Sequence, residues 1–466
     1  MKNLVTVVLV FVICGSALAF GGVEAWAYST GEVCLFLALF LVVWKQTRSG
    51  VLNLPLPVWP MLFLAWTGLA LLPLPPSLVR TLSPHRWLDL TLVSPAAASK
   101  WTALSIYPHD TQVALFEFAA CLSIFVLAAW LHDSNSHRNA ILIALGGLAC
   151  FEAGCGIIQY LTGWQRVFGY TKGVNLYEAT GTYINRNHYA GFLEMVIPFA
   201  FAMAFYQFQA WQTEGSRQAA WPHLPRSPGA GARTILFLVL LSVLMLADVF
   251  SRSRGGILVA VFSLIFVMLL TQAKTRHKAW TLAMLLFVMG VLAYGLWIGL
   301  GPVLSRFEAM REPGYIQLEG RSIIWADTLR LCRDFPLFGT GFGTFGLAFK
   351  PYQTTFVSFF VDHAHNDYLE VAAETGWAGA ALLFVPIAVL FVRMVVSFLD
   401  DPRQYRRAVT LGCIGSILAM LVHSLIDFNL HIPANALIFA CVLGIGYKAS
   451  CLERREDRKG SGRFVA

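Results

Sequence analysis

Residues 363–370 read HAHNDYLE, and residues 376–399 read GWAGAALLFVPIAVLFVRMVVSFL. The second stretch carries one charge, Arg393, and exceeds the roughly 20 apolar residues that a helix needs to cross a bilayer. Two imidazoles, an amide and two carboxylates therefore sit immediately before a membrane span. An imidazole can move a proton near neutral pH. The polar segment upstream, residues 301–375, adds arginines at 306, 311, 321, 330 and 333, a donor set suited to an anionic substrate.

The rest of the 466-residue chain fits that beginning. With 57% hydrophobic and 13% charged residues and a mean hydropathy of +0.64, it has too little polar surface for a soluble protein of this length. Apolar runs at about 3–20, 31–45, 58–74, 112–131, 139–161, 188–210, 234–251, 255–273, 279–300, 376–399, 408–428 and 434–451 predict an all-α polytopic membrane protein of about twelve spans. The expected organisation is a transmembrane bundle over 1–300, a large extracytoplasmic loop with short amphipathic helices over 301–375, C-terminal spans over 376–451 and a basic cytoplasmic tail over 452–466.

Basic residues fix the expected orientation. With the N-terminus in the cytoplasm, every inward loop is basic: Lys45 and Arg48; Arg138; Arg217, Arg226 and Arg233; Lys274, Arg276 and Lys278; Arg403, Arg406 and Arg407; and the tail. The net charge of +8 is then mostly topology, and nucleic-acid binding is excluded as its explanation. Residues 1–20, ending in Ser16-Ala17-Leu18-Ala19, read as an uncleaved anchor. Eight of nine cysteines lie in or beside apolar runs and only Cys332 lies in an outward loop, so no extracytoplasmic disulfide framework is expected.

Three further outward segments stand out. Residues 75–110 are rich in proline and polar residues and read as an ordered or re-entrant loop. Residues 162–187 end in Asn185-Arg186-Asn187-His188 at the mouth of a span, where such side chains cap a helix or face a wet cavity. The turn Ser251-Arg252-Ser253-Arg254-Gly255-Gly256 puts two guanidiniums on the face where positive charge is disfavoured, and an anion is their natural partner. Within the large loop, residues 319–334 read as an amphipathic helix stopped by Pro336, and residues 339–345 as a glycine turn that lets the loop pack closely rather than a phosphate cradle.

These residues resemble the O-antigen ligase and polymerase superfamily of bacterial envelope glycosyltransferases. The resemblance rests on His365-Asn366 followed by Gly376-Trp377-Ala378-Gly379, on residues 181–188 and 251–256, on Arg321, and on residues 336–341. It implies transfer of a glycan from an undecaprenyl-pyrophosphate carrier to an acceptor hydroxyl of a lipid or glycan at the periplasmic face of the inner membrane. His365 is the expected base, with Arg254 and Arg321 on the pyrophosphate. Arg186, Asn187, Arg252, Asn366 and Asp427 complete the expected binding set, with Asp427 pairing an arginine. No cofactor is expected, and no metal, because His363 and His365 lack further outward His or Cys partners. Asp367 and Glu374 are expected to hold His365 or the arginines.

The motifs do not separate acceptors. Leu382 stands where ligases often carry Ser or Thr, a departure from the ligase pattern within the superfamily; a polymerase of O-antigen or exopolysaccharide is the nearest alternative, and a protein O-oligosaccharyltransferase follows. A bicarbonate or solute transporter is the reading from another class, and it would place its ionisable residues near mid-membrane.

Overall fold

The computed structural model describes residues 1–466 except 51, 56, 221–228, 310–320, 355–359 and 462–466. Arg226, Arg311, Glu319 and Gly320 therefore lie outside the described residues. Helices account for nearly all regular structure. A backbone in hydrocarbon must satisfy its own N–H and C=O groups, and a helix does so within one segment.

Among the described residues, nine helices are long and apolar enough to cross a membrane: Ala25–Arg48, Pro108–Leu131, Asn135–Thr162, Arg186–Glu214, Ala230–Ser251, Arg254–Thr275, Asp367–Asp400, Gln404–His423 and Pro433–Cys451. Three shorter apolar helices, Lys2–Leu18, Val58–Leu69 and Lys278–Tyr294, correspond to the remaining expected spans. The protein is a multi-pass membrane protein.

Several boundaries differ from the sequence reading for identifiable reasons. The helix expected over 58–74 ends at Leu69, just before Pro73, Pro75 and Pro76 remove backbone donors. The helix beginning at Lys278 continues to Ala309, beyond the boundary placed at 300. The helix expected over 408–428 ends at His423, and residues 424–432 turn across the end of the bundle instead.

The Arg186–Ala220 helix is the central post. Its apolar residues Phe192, Leu193, Val196, Ile197 and Phe201 are buried, and it packs against the helices Ala230–Ser251 and Gln404–His423. A second, smaller core sits under the large loop, where Ile324, Leu331 and Phe335 meet Phe63, Phe345, Phe349, Ala364 and Val371. The loop is thus folded onto the bundle. The amphipathic helix runs Arg321–Asp334 and turns Ile324, Leu331 and Cys332 inward.

Residues 75–110 are ordered, with short helices Pro76–Leu82 and Pro84–Val93. They join the large loop where Ile106 N–H donates to Thr340 O at 2.8 Å. In the second loop a small hairpin pairs Arg166–Val167 with Tyr170–Thr171.

Glycine decides two close approaches. In the 339–345 turn, Gly341 has φ +114°, and a Cβ there would collide with Ser105 and Thr111. The Asp367–Asp400 helix breaks at Gly376 (φ 72°, ψ 171°), where a Cβ would run into the Leu337 carbonyl. Trp377 N–H then donates to Pro336 O at 3.0 Å. The break separates a short polar piece, Asp367–Thr375, from the apolar stretch.

Candidate active site at the polar end of the bundle

The site begins with an unusual backbone. His365 adopts φ +50°, a left-handed conformation that costs an ordinary residue roughly 1–3 kcal/mol. Its neighbours hold it there. Asn366 caps the following helix by accepting from Leu369 N–H (3.1 Å) and donates its amide to Leu425 O (3.0 Å). Asp367 N–H donates to Ser424 O (2.9 Å), Ala364 N–H to Glu370 Oε2 (2.7 Å), and Trp325 Nε1 to Ala364 O (3.0 Å). Residues 363–370 are thereby bolted to residues 424–425 and to the Arg321–Asp334 helix.

The strained turn aims His365 at Asp427, whose Oδ1 lies 3.2 Å from His365 Nδ1 and accepts from Phe428 N–H at 3.0 Å. Asn187 Nδ2 donates to Asp427 Oδ2 at 2.6 Å. Arg321 Nη2 lies 3.7 Å from the same oxygen, and Arg321 Nη1 donates to Ile426 O at 2.7 Å. Asp427 is buried while His365 and Arg321 are 29% and 28% exposed, so the carboxylate is enclosed and its cationic partners remain reachable. Burial alone would raise the Asp427 carboxyl, but the His365 hydrogen bond and the Arg321 charge hold it well below the usual carboxylate range.

The 251–256 turn backs onto the same segment. Arg252 caps its helix in a left-handed conformation (φ 55°), and Ser253 Oγ accepts from Gly256 N–H to open the next. A Cβ on Gly255 would meet Ile426, the residue whose carbonyl Arg321 holds, so the Arg254 backbone and the Arg321 guanidinium converge on residues 426–427. Arg252 lies over the Tyr160 ring at 5.2 Å, and Arg186 pairs with buried Glu178. Of the expected set, His365, Arg321, Asn187 and Asp427 form one cluster, with Asn366 fixing the backbone beneath it. Arg254 borders it. Arg186 and Arg252 engage other partners.

The acidic residues expected to hold His365 do something else. Glu374 Oε1 accepts from Phe345 N–H at 2.8 Å, and Asp367 holds His431 Nδ1 at 2.8 Å; among the described residues, the carboxylate beside His365 and Arg321 is Asp427. Spacing within 363–375 could not show this, because the partner comes from 52 residues further on than Thr375.

Phe428 is the ring that three histidines share. His363 stacks on it at 4.0 Å between centroids, and His365 and His188 meet it edge-on at 5.0 and 4.7 Å. On the His363 side, Glu370 Oε1 lies 2.7 Å from His363 Nδ1 and 3.4 Å from His431 Nε2. Burial opposes protonation of His431, but Glu370 and Asp367 push it up to about 10; Glu370 likewise raises His363 against its burial. Glu370 and His431 were legible as polar residues, yet nothing in their spacing paired them. Below lies a further buried pair, His423 Nδ1 with Glu194 at 2.9 Å, and Glu194 sits in an apolar run that gave no signal.

Three cavities overlap along one side of the bundle. An apolar groove of about 690 Å³ runs along the flank of the helices Pro108–Leu131, Asp367–Asp400 and Pro433–Ser461, with Arg393 and Tyr447 at its far end. It shares Phe118, Leu383 and Ala440 with a second cavity that reaches His431. The second shares Glu117 and His431 with a third, of about 470 Å³, lined by Asn185, His188, His363 and Phe428.

The apolar groove and the cavities that overlap it lead to His431, His363, His188 and Glu117 at the polar end of a polytopic helical membrane protein. Residues 236–384 of this polytopic protein match the family model for O-antigen ligase. The matched segment contains the 251–256 turn, Arg321, His365 and Gly376, and stops short of Asp427. The chain is also similar to the exopolysaccharide production protein ExoQ of Rhizobium meliloti, 22% identical over 367 residues that cover 74% of this chain and 78% of the relative.

Proposed function

We propose that this protein transfers a glycan from an undecaprenyl-pyrophosphate carrier to an acceptor hydroxyl at the periplasmic face of the inner membrane. The family match and the relative support a membrane glycan-processing enzyme. The observation that carries the finer reading is the cluster at Asp427, where an imidazole and a guanidinium share one buried carboxylate.

In this reading Asp427 accepts from His365 Nδ1–H and leaves Nε2 unprotonated toward the acceptor. The acceptor oxygen attacks the anomeric carbon, its proton passes to His365 Nε2, and the carbon–oxygen bond to the carrier pyrophosphate breaks. Arg321 and Arg254 take up the charge that grows on the departing pyrophosphate, for which a guanidinium fork is suited. The leaving group is already activated, so the step itself calls for no cofactor. The apolar groove accommodates the polyprenyl tail, and the acceptor is a lipid or a glycan. A name in exopolysaccharide production for the relative favours polymerisation of a lipid-linked glycan as the second reading.

Transfer by purified protein in detergent, with a lipid-pyrophosphate donor, tests the assignment. His365→Ala is expected to lower transfer roughly a hundred- to ten-thousandfold while donor binding persists, and His363→Ala to cost much less. Full activity in His365→Ala would overturn it.

A further inference from the structure

On the cavity side of Phe428, the donor atoms of His363, Glu370 and His431 lie within 4.8 Å of one another. Glu370 Oε1 faces His363 Nδ1 at 2.7 Å and His431 Nε2 at 3.4 Å. Each group is anchored from behind. His431 Nδ1 lies 2.8 Å from Asp367 Oδ1, and Asp367 Oδ2 accepts from Ser424 Oγ (2.7 Å) and Leu430 N–H (3.2 Å). Glu370 Oε2 accepts from Ala364 N–H at 2.7 Å, which leaves Oε1 for the cluster.

We propose that His363, Glu370 and His431 hold a zinc ion whose open coordination positions face the 470 Å³ cavity. With His431 Nδ1 held at Asp367, its Nε2 faces Glu370 Oε1, and a zinc ion would take the place of the proton that otherwise lies between those two atoms. The carboxylate–histidine arrangement is the one that fixes tautomer and ring orientation in zinc sites. Two imidazoles and one carboxylate form a three-ligand set with room for a fourth, and imidazole nitrogens select zinc over calcium or magnesium, which prefer oxygen. Zinc–ligand bonds of about 2.0–2.2 Å set tetrahedral ligand atoms a little over 3 Å apart, so the His431–Glu370 separation already fits and the quarter-exposed His363 ring needs only a small turn.

The open face meets polar and aromatic groups together: Asn175, Asn185, Asp362 and Glu117 with Phe20 and Tyr183. Such a lining suits a sugar, whose oxygens would complete the coordination. His365 and Arg321 engage Asp427 and are not among these ligands, so this site and the transfer reading are separable.

The test uses full-length protein in detergent, stripped with chelator, dialysed and titrated with zinc against a chromophoric competitor. One zinc per chain is expected, and cobalt in its place should give the visible absorption of a tetrahedral site. His431→Gln and the more exposed His363→Gln should each weaken zinc binding at least tenfold, Asp367→Asn about ten- to a hundredfold, and His109→Ala not at all. His365→Ala should keep its zinc while losing transfer. Failure of the chain to retain stoichiometric zinc, or zinc binding undiminished in both His363→Gln and His431→Gln, would overturn the proposal.

Discussion

The two clusters that meet Phe428, each with its own open face, are built from the same residue types and arranged to opposite effect. On one face a single buried carboxylate, Asp427, is surrounded by donors: His365, Asn187, Arg321 and its own neighbour's N–H. On the other face two carboxylates, Asp367 and Glu370, converge on two imidazoles. The first face presents positive charge to whatever approaches, and the second presents acceptors. What distinguishes them is which partner is shared: one acid among several cations, or two acids across a pair of rings. An inventory of side chains would call both faces histidine–carboxylate clusters, and only connectivity gives them different chemistry.

That contrast is open to attack. The largest expected effect after His365 itself falls on the donor-rich face. Arg321→Lys and Arg254→Lys keep the charge and lose the fork, so each should lower transfer roughly ten- to a thousandfold in the detergent assay, with protein yield unchanged. Near-normal transfer in both would reduce these arginines to helix anchors and erase the difference between the faces.

A smaller effect should appear in stability. Gly376→Ala forces a Cβ against the Leu337 carbonyl at φ 72° and should cost on the order of 1–3 kcal/mol, read as a lowered thermal midpoint in detergent. Since Asp367–Thr375 carries Asp367 and Glu370, this variant should disturb the His363 face before the Asp427 face. Equal loss of zinc binding and transfer would argue that the break supports the two alike.

The smallest effect concerns acid. Asp427 titrates well below an unfolded carboxylate, so its stabilisation is complete above about pH 4 and fades only as pH falls through the depressed value. The stability difference between wild type and Asp427→Asn should therefore not shrink from pH 8 to pH 5 in denaturant titrations. A difference that shrinks across that range would place the His365–Asp427 contact on the wrong residue.

The membrane character, the helical fold and most spans were legible because hydrocarbon imposes one requirement on every residue of a span, and length and hydropathy register it. Helix ends were less so: the span expected over 58–74 ran past Pro73 although the helix stops at Leu69, and the stop at His423 depends on residues 424–432 finding partners in 363–370. At the site, His365 was conspicuous as an imidazole just before a span, and Arg321 was singled out among the loop arginines by the family resemblance. Asp427 was expected to pair an arginine and does. Glu370 with His431 was invisible for the opposite reason, since their meeting depends on tertiary contact alone. The pairing of Arg186, one of the expected binding residues, with buried Glu178 eight residues earlier was likewise not legible from spacing.

The overlapping cavities carry a consequence for how such a protein is measured. Their outer end lies among Val385, Val389 and Trp59, all exposed on the apolar flank, so a tailed substrate arrives sideways from the lipid phase rather than from solution. Its relevant dose is then a surface density. Diluting vesicles at fixed lipid composition should leave the rate per protein unchanged, whereas diluting the carrier with inert lipid should slow it, so a saturation curve plotted against bulk concentration would describe the assay's lipid content more than the protein.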